Sequence, residues 1–262
     1  MRIGMLGRFF PLNWRPPEQE IRFAAEHGFA AMQIRSDRAG AIAETLRADP
    51  REVGAAFAAS GVEPVLEMLV VHEGRPRTIE RAFRANLREI AQLGVKRVHV
   101  HPVGPADAAA LLADDFAAAL EVAIATGITF GAEHNASGHR LLVGPDEVHD
   151  LLDSVPGLHF VWDLNHTMAE DVASFARLRD RLSLVHVSDT PLPETNHHLP
   201  LGRGNVDFSI LREIDDVPAI LEIGGLPISG GPGFDTDDAL LDSRDRLDSI
   251  WPIRDLTSPR LD

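Results

Sequence analysis

Cysteine is absent from the 262-residue chain, and so is tyrosine. The first absence excludes disulfides, thiolate nucleophiles and cysteine-ligated zinc or iron–sulfur centres, so any metal must be held by imidazole and carboxylate. Lysine is almost missing: of the 25 basic residues only Lys96 is one, and its place in GVKRVHV, just ahead of an apolar run, argues against Schiff-base chemistry through an amine. No run of about 18 apolar residues exists, which argues against a membrane span. The opening MRIGMLGRFFPLNW has neither the long apolar stretch nor the small-residue cleavage site of a secretory signal, so a cytoplasmic protein is expected. Positive charge is also short. The formal net charge of -15 argues against nucleic acid as a partner, because binding a polyphosphate needs a basic surface that releases counterions.

What is present is a period. Short apolar runs recur about every thirty residues: RIGML (2–6), AAMQI (30–34), PVLEMLVV (64–71), RVHVH (97–101), ITFGAE (128–133), HFVWD (159–163), LSLVHV (182–187) and PAILE (218–222). Several are nearly continuous in Val, Ile, Leu and Phe, the pattern of strands covered on both faces. Amphipathic segments lie between them. In 78–94 the residues Ile79, Phe83, Leu87, Ile90 and Leu93 fall on one stripe, and Gly94 stands where a helix ends; Gly28, Gly61 and Gly127 mark three more helix ends. Further helices are expected over VDFSILREI and near 235–250.

Eight strand-then-helix units with no linker or composition break predict an α/β fold, a single (β/α)8 TIM barrel spanning 1–262 as one domain. The rival, an open doubly wound sheet, ordinarily shows a Gly-rich phosphate turn after an early strand; no GxGxxG follows any strand here.

In a barrel, residues at the C-terminal ends of the strands converge on one mouth. Those ends carry His72, His101, Glu133 and His134, Asp163 and His166, His186 and Asp189, and Glu222. Singly, each has a structural explanation. Together, several carboxylates in one mouth repel one another unless a cation offsets the charge. Glu133, Asp163, His186 and Glu222, from four successive strands, form a hard, mostly oxygen ligand set for one divalent ion: Mn2+, Mg2+ or Co2+, with Zn2+ also compatible.

The aromatics of RFFPLNW (8–14) follow the first strand, where Phe9, Phe10 or Trp14 would wall a sugar pocket or simply pack over the loop. Gly230, Gly231 and Gly233 follow the last strand, a place where some barrels cradle phosphate, although no basic residue stands beside them.

Across most of its length the chain resembles the xylose isomerase-like barrel superfamily of sugar isomerases and epimerases, inosose dehydratase-type enzymes and zinc-dependent apurinic endonucleases. The carrying motifs are GAEHN at the fifth strand, WDLNH at the sixth, VHVSD at the seventh, HHLPLGRGNVDF (197–208) and LEIGG at the eighth. The resemblance implies that Glu133, Asp163, His186 and Glu222 are metal ligands and that His166 and Arg203 lie near substrate oxygens. It further implies that Glu133 and Glu222 act as acid and base, moving a proton beside a carbonyl through a metal-stabilised enediolate. The substrate would be a sugar or polyol ketone, and a homo-oligomer is expected from the relatives.

The endonuclease branch is the alternative, with His72 and His101 completing a second metal site and His166 with His198 a third. Against it, that branch reads Asp-x-His where this chain has Asn196-x-His198. An inosose-type dehydratase is a further alternative. Gln33, where sugar-converting relatives often have Glu, departs from the pattern.

Overall fold

Apolar runs covered on both faces form parallel strands, and eight do so in the computed structural model of the chain, which describes residues 2–9, 13–37, 41–214, 217–224 and 234–250. They are β1 (Arg2–Leu6), β2 (Ala31–Arg35), β3 (Glu63–Val71), β4 (Arg97–Val103), β5 (Thr129–Glu133), β6 (His159–Asp163), β7 (Leu182–Val187) and β8 (Pro218–Leu221). Each pairs in parallel with its successor, and β1 pairs with β8 through Ile3 opposite Ala219 and Gly4 opposite Ile220. The sheet is therefore a closed barrel in chain order, the (β/α)8 fold that the sequence period predicts.

The helices are α1 (Pro17–Glu26), α2 (Ala43–Leu46), α3 (Pro50–Ser60), α4 (Thr78–Leu93), α5 (Ala109–Thr126), α6 (Pro145–Ser154), α7 (Val172–Ala176) and α8 (Asp237–Ile250). On α4 the predicted stripe is real: Ile79, Phe83, Ile90 and Leu93 are buried, with Leu87 partly so. Gly94 ends it at φ 73°, a left-handed position that strains any side chain. Gly54 has a different reason: a Cβ there would meet the Gln92 carbonyl oxygen at 2.0 Å, so its absence lets α3 lie against the end of α4.

The expected helix over VDFSILREI is instead a short 3-10 helix, Phe208–Glu213, capped by the Asp207 carboxylate on Ser209 N at 2.9 Å. The threefold 3-10 repeat buries Phe208 and Leu211, three residues apart, on one side.

Inside the barrel, Leu6, Ala31, Val65, Val161, Leu184 and Ile220 pack as a cluster separate from the large core between strands and helices. Gly4 faces the same space, since a Cβ there would stand 2.5 Å from Ile220 Cδ1. This apolar layer is the floor on which the polar mouth rests.

Candidate active site and metal centre

Strand side chains alternate in direction, so the next inward residue lies two positions on. From the apolar floor, Val161 leads to Asp163, Leu184 to His186, Ile220 to Glu222, Val65 to Glu67, and Ala31 to Gln33 and then Arg35. On β4 and β5 the corresponding residues are His99, His101 and Glu133. All are buried, at 9% exposure or less.

Glu133, Asp163, His186 and Glu222 meet as the sequence predicts, each offering a ligand atom within 4.8 Å of the others. His186 Nδ1 stands 3.2 Å from Glu133 Oε1, 3.5 Å from Glu222 Oε2 and 3.9 Å from Asp163 Oδ2. Asp163 Oδ1 accepts from Asn165 N at 2.8 Å. Its other oxygen, Oδ2, has no hydrogen-bond partner, nor has Glu222 Oε2. Two buried, unpartnered carboxylate oxygens facing one imidazole nitrogen fit a divalent cation, which would satisfy them together.

The electrostatics lead to the same conclusion. Burial, reinforced by Glu222 and Glu133, raises the Asp163 carboxyl to about 7. Burial works against a proton on His186, but Glu133 and Glu222 outweigh it and raise the imidazole to about 10. Glu133 is held well below the usual carboxylate range because His101 and His186 outweigh its burial. The metal-free cluster thus holds a proton on His186, and one on Asp163 up to about neutral pH, that a bound cation would replace.

A second group, Glu67, His101 and Glu133, lies beside the first and shares Glu133 with it. His101 Nδ1 stands 3.5 Å from both Glu67 Oε1 and Glu133 Oε1. Burial opposes a charge on His101, yet the two glutamates raise it to about 9. Arg35 donates from Nε to Glu67 Oε2 at 2.7 Å and from Nη2 to Glu222 Oε1 at 3.1 Å. A guanidinium is therefore wedged between carboxylates of β3 and β8. His99, beneath, sets Nε2 3.5 Å from Glu133 Oε2, and burial beside His186 lowers it to about 3.

His166 and His198 border the cluster. His166 donates from Nδ1 to the His134 carbonyl at 3.0 Å and turns Nε2 to within 3.3 Å of Asp163 Oδ2. His198 donates from Nδ1 to the Glu222 carbonyl at 3.0 Å, and its Nε2 lies 2.8 Å from Asn196 Oδ1. Both His198 ring nitrogens are thus already engaged. Asn165 stitches this loop to β6, accepting from Asn196 N at its carbonyl (2.9 Å) and from His197 N at its side chain (3.1 Å).

Two sequence-predicted residues lie elsewhere. His72 faces the helices rather than the mouth: its Nε2 donates to Asp115 Oδ2 at 3.0 Å, and Asp115 also accepts from Thr78 N and Ile79 N at the start of α4. On β3 the inward set is Val65 and Glu67, and His72 falls on the opposite parity. Arg203 is exposed, and its side chain makes no hydrogen bond or ion pair among the described residues. The loop carrying it wraps Asp189, whose carboxylate accepts from Thr190 N, Gly202 N and Val206 N. Phe9 is buried in the core, and Trp14 donates to the Thr45 carbonyl at 3.3 Å beneath the Arg47 guanidinium. Phe10 and the glycines at 230, 231 and 233 lie outside the described residues.

Arg35, Glu67 and His99 join the site in addition to the strand-end residues that the sequence predicts. Their signal was available: a charged residue at the inward parity of an otherwise apolar strand, as in VLEMLV around Glu67.

The family described as Xylose isomerase-like TIM barrel matches residues 21–248. No curated protein matches the chain by sequence. Solved structures share its fold at low identity. D-allulose 3-epimerase from Methylomonas sp. has a TM-score of 0.78 and 18% identity, covering 96% of this chain and 98% of that one. The IolI protein, described with a bound zinc atom, has a TM-score of 0.75 and 14% identity over 95% and 98%. A family 2 AP endonuclease from Brucella melitensis has a TM-score of 0.67 and 16% identity over 91% and 96%. Among the described residues, no helix is long and apolar enough to cross a membrane.

Proposed function

The chain belongs to the xylose isomerase-like TIM barrel family, and on that premise we propose that it is a divalent-metal-dependent isomerase or epimerase of a sugar or polyol ketone. The observation that carries this reading is the convergence of Glu133, Asp163, His186 and Glu222, with unpartnered oxygens on Asp163 and Glu222. These four side chains would hold the ion. When bound, the ion supplies positive charge for the two adjacent oxygens of an enediolate, on the order of several kcal/mol.

The chain's own carboxylates do the rest. Glu133 and Glu222 come from strands three apart around the ring. One removes the proton beside the substrate carbonyl and the other returns it. Return on the opposite face inverts the carbon; return to the neighbouring carbon isomerises the sugar. Arg35 contacts Glu222 through Oε1, leaving Oε2 to face the cluster. His101, His166 and His198 frame the space around the substrate oxygens.

The epimerase named among the structural neighbours acts on a sugar, in keeping with this reading. The other reading, phosphodiester hydrolysis with several zinc ions, is favoured by the Glu67, His101 and Glu133 group, which offers a second cation position. It is opposed by Asn196, whose amide oxygen stands 2.8 Å from His198 Nε2 where the endonuclease pattern has a charged carboxylate.

Protein purified without chelator should contain about one divalent ion per chain. It should exchange carbon-bound hydrogen with deuterium oxide on one member of a panel of ketoses, keto-acids and inositol ketones. Glu133→Gln or Glu222→Gln should slow that exchange by about 10²–10⁴-fold. Full activity in metal-free protein would overturn the proposal, and nicking of abasic DNA without exchange on any small molecule would transfer the assignment to the second reading.

A further inference from the structure

Gln33 lies at the centre of the mouth, fully buried on β2, with every polar group of its amide engaged. Its Oε1 accepts from His186 Nε2 at 2.7 Å. Its Nε2 donates to Glu67 Oε2 at 2.9 Å and to Glu222 Oε1 at 3.3 Å. One amide thus ties β2 to β3, β7 and β8, and it touches two of the four residues proposed to hold the metal.

The chemistry fixes which way round that amide sits. Flipped, its oxygen would face two carboxylates and its NH2 group would face His186. Both carboxylates are acceptors only, so the NH2 end must point at them and the carbonyl must point at the imidazole. His186 Nε2 must then carry a hydrogen to donate. The ring's remaining nitrogen, Nδ1, is the one that faces Glu133, Asp163 and Glu222.

The same arrangement recurs next door with different residues. His101 Nε2 donates to Asn135 Oδ1 at 2.6 Å, while the Asn135 amide nitrogen donates to the carbonyls of Pro102 and Leu141. There too the acceptors on one end of an amide orient its carbonyl, which fixes the imidazole and aims Nδ1 at a pair of carboxylates.

We propose that Gln33 is a positioning residue that holds His186 in the Nε2–H tautomer, so that Nδ1 is the metal ligand, and turns Glu222 so that Oε2 is the oxygen it presents. The proposal rests on the metal-site reading above. It also accounts for an amide rather than a carboxylate at position 33: a glutamate there could still accept from His186, but it could not donate to Glu67 and Glu222 and would add a further negative charge to the cluster.

Two measurements test it, neither requiring a substrate. Zinc binding to metal-stripped protein is followed by calorimetry, and the His186 ring nitrogens are read by 15N NMR of the zinc-loaded, histidine-labelled protein, where zinc displaces one ring proton, with folding of each variant checked by its thermal melt. Gln33→Met, which keeps the volume and loses the amide, should bind zinc about 10–100-fold more weakly and show His186 as a mixture of tautomers. Gln33→Glu keeps the acceptor and should keep the Nε2–H signature. Native-like zinc affinity in Gln33→Met, or weakened affinity with an unaltered His186 signature, would overturn the proposal. If the native protein itself bound no zinc, manganese or cobalt, the metal reading beneath it would fail instead.

Discussion

Two layers of the barrel interior, two positions apart along the same strands, are built from opposite materials. The floor of Leu6, Ala31, Val65, Val161, Leu184 and Ile220 has no polar side chain. The layer above holds Gln33, Glu67, Glu133, Asp163, His186 and Glu222, all 1% exposed or less. Dispersion and hydrophobic burial stabilise the lower layer at any pH. The upper layer holds four carboxylates where water cannot solvate them, which destabilises the fold unless protons, Arg35 or a cation offset the charge. The proposed function rests on the layer that the floor must stabilise.

Damaging the floor should therefore harm stability and spare the site. Leu184→Ala is expected to destabilise the protein by about 2–5 kcal/mol, read by chemical denaturation. Metal affinity of the folded variant should stay within about twofold of native, because His186 is positioned by Gln33 above and not by Leu184 below. A large loss of affinity would mean that the layers are not separable.

The upper layer should respond in the opposite direction. The Asp163 carboxyl is raised from its ordinary value to about 7, so in the metal-free fold it prefers to be protonated. A carboxyl whose folded value lies above its unfolded value contributes no penalty at low pH. It destabilises the fold progressively as the pH rises from about 4 through about 7. Asp163→Asn, which mimics the protonated group and retains an oxygen for Asn165 N, should stabilise metal-free protein at pH 8 by on the order of a few kcal/mol. At pH 4 the two proteins should melt alike. In excess metal the order should reverse, since only the native protein gains binding energy. A native metal-free protein more stable than Asp163→Asn at pH 8 would contradict the raised carboxyl.

The same contrast explains what could be read from the chain beforehand. The barrel was legible because buried parallel strands are nearly continuous apolar runs, and eight of them recur with amphipathic segments between. The four proposed ligands were legible because each lies within one residue of the end of its strand. Glu67 and His99 are hidden because they lie inside β3 and β4 rather than at their ends, whereas Arg35 ends β2 and carried the same signal as the proposed ligands. His72 was placed in the mouth for the converse reason: it follows a strand end, but one step in parity turns it to the helices and Asp115. The 3-10 helix before β8 was hidden because Phe208 and Leu211, three residues apart, suit a 3-10 repeat as well as an α-helical one.

The last contrast lies within the motif LGRG, between Arg203 and Gly204. A Cβ at Gly204 would stand 2.3 Å from the Thr190 carbonyl oxygen and 2.4 Å from Asp189 Oδ1, so this glycine lets the loop close around Asp189. Arg203, beside it, is exposed and makes no side-chain bond among the described residues, so the fold gives no reason for an arginine there. Arg203→Ala should leave stability within about 0.5 kcal/mol of native. If its guanidinium meets substrate oxygens, as the family resemblance implies, the variant should raise KM several-fold for whichever ketose the exchange panel identifies, while kcat for proton exchange changes little. An unchanged KM would remove Arg203 from the site and leave the motif as a structural clasp, its glycines serving Asp189 and nothing in it serving the substrate.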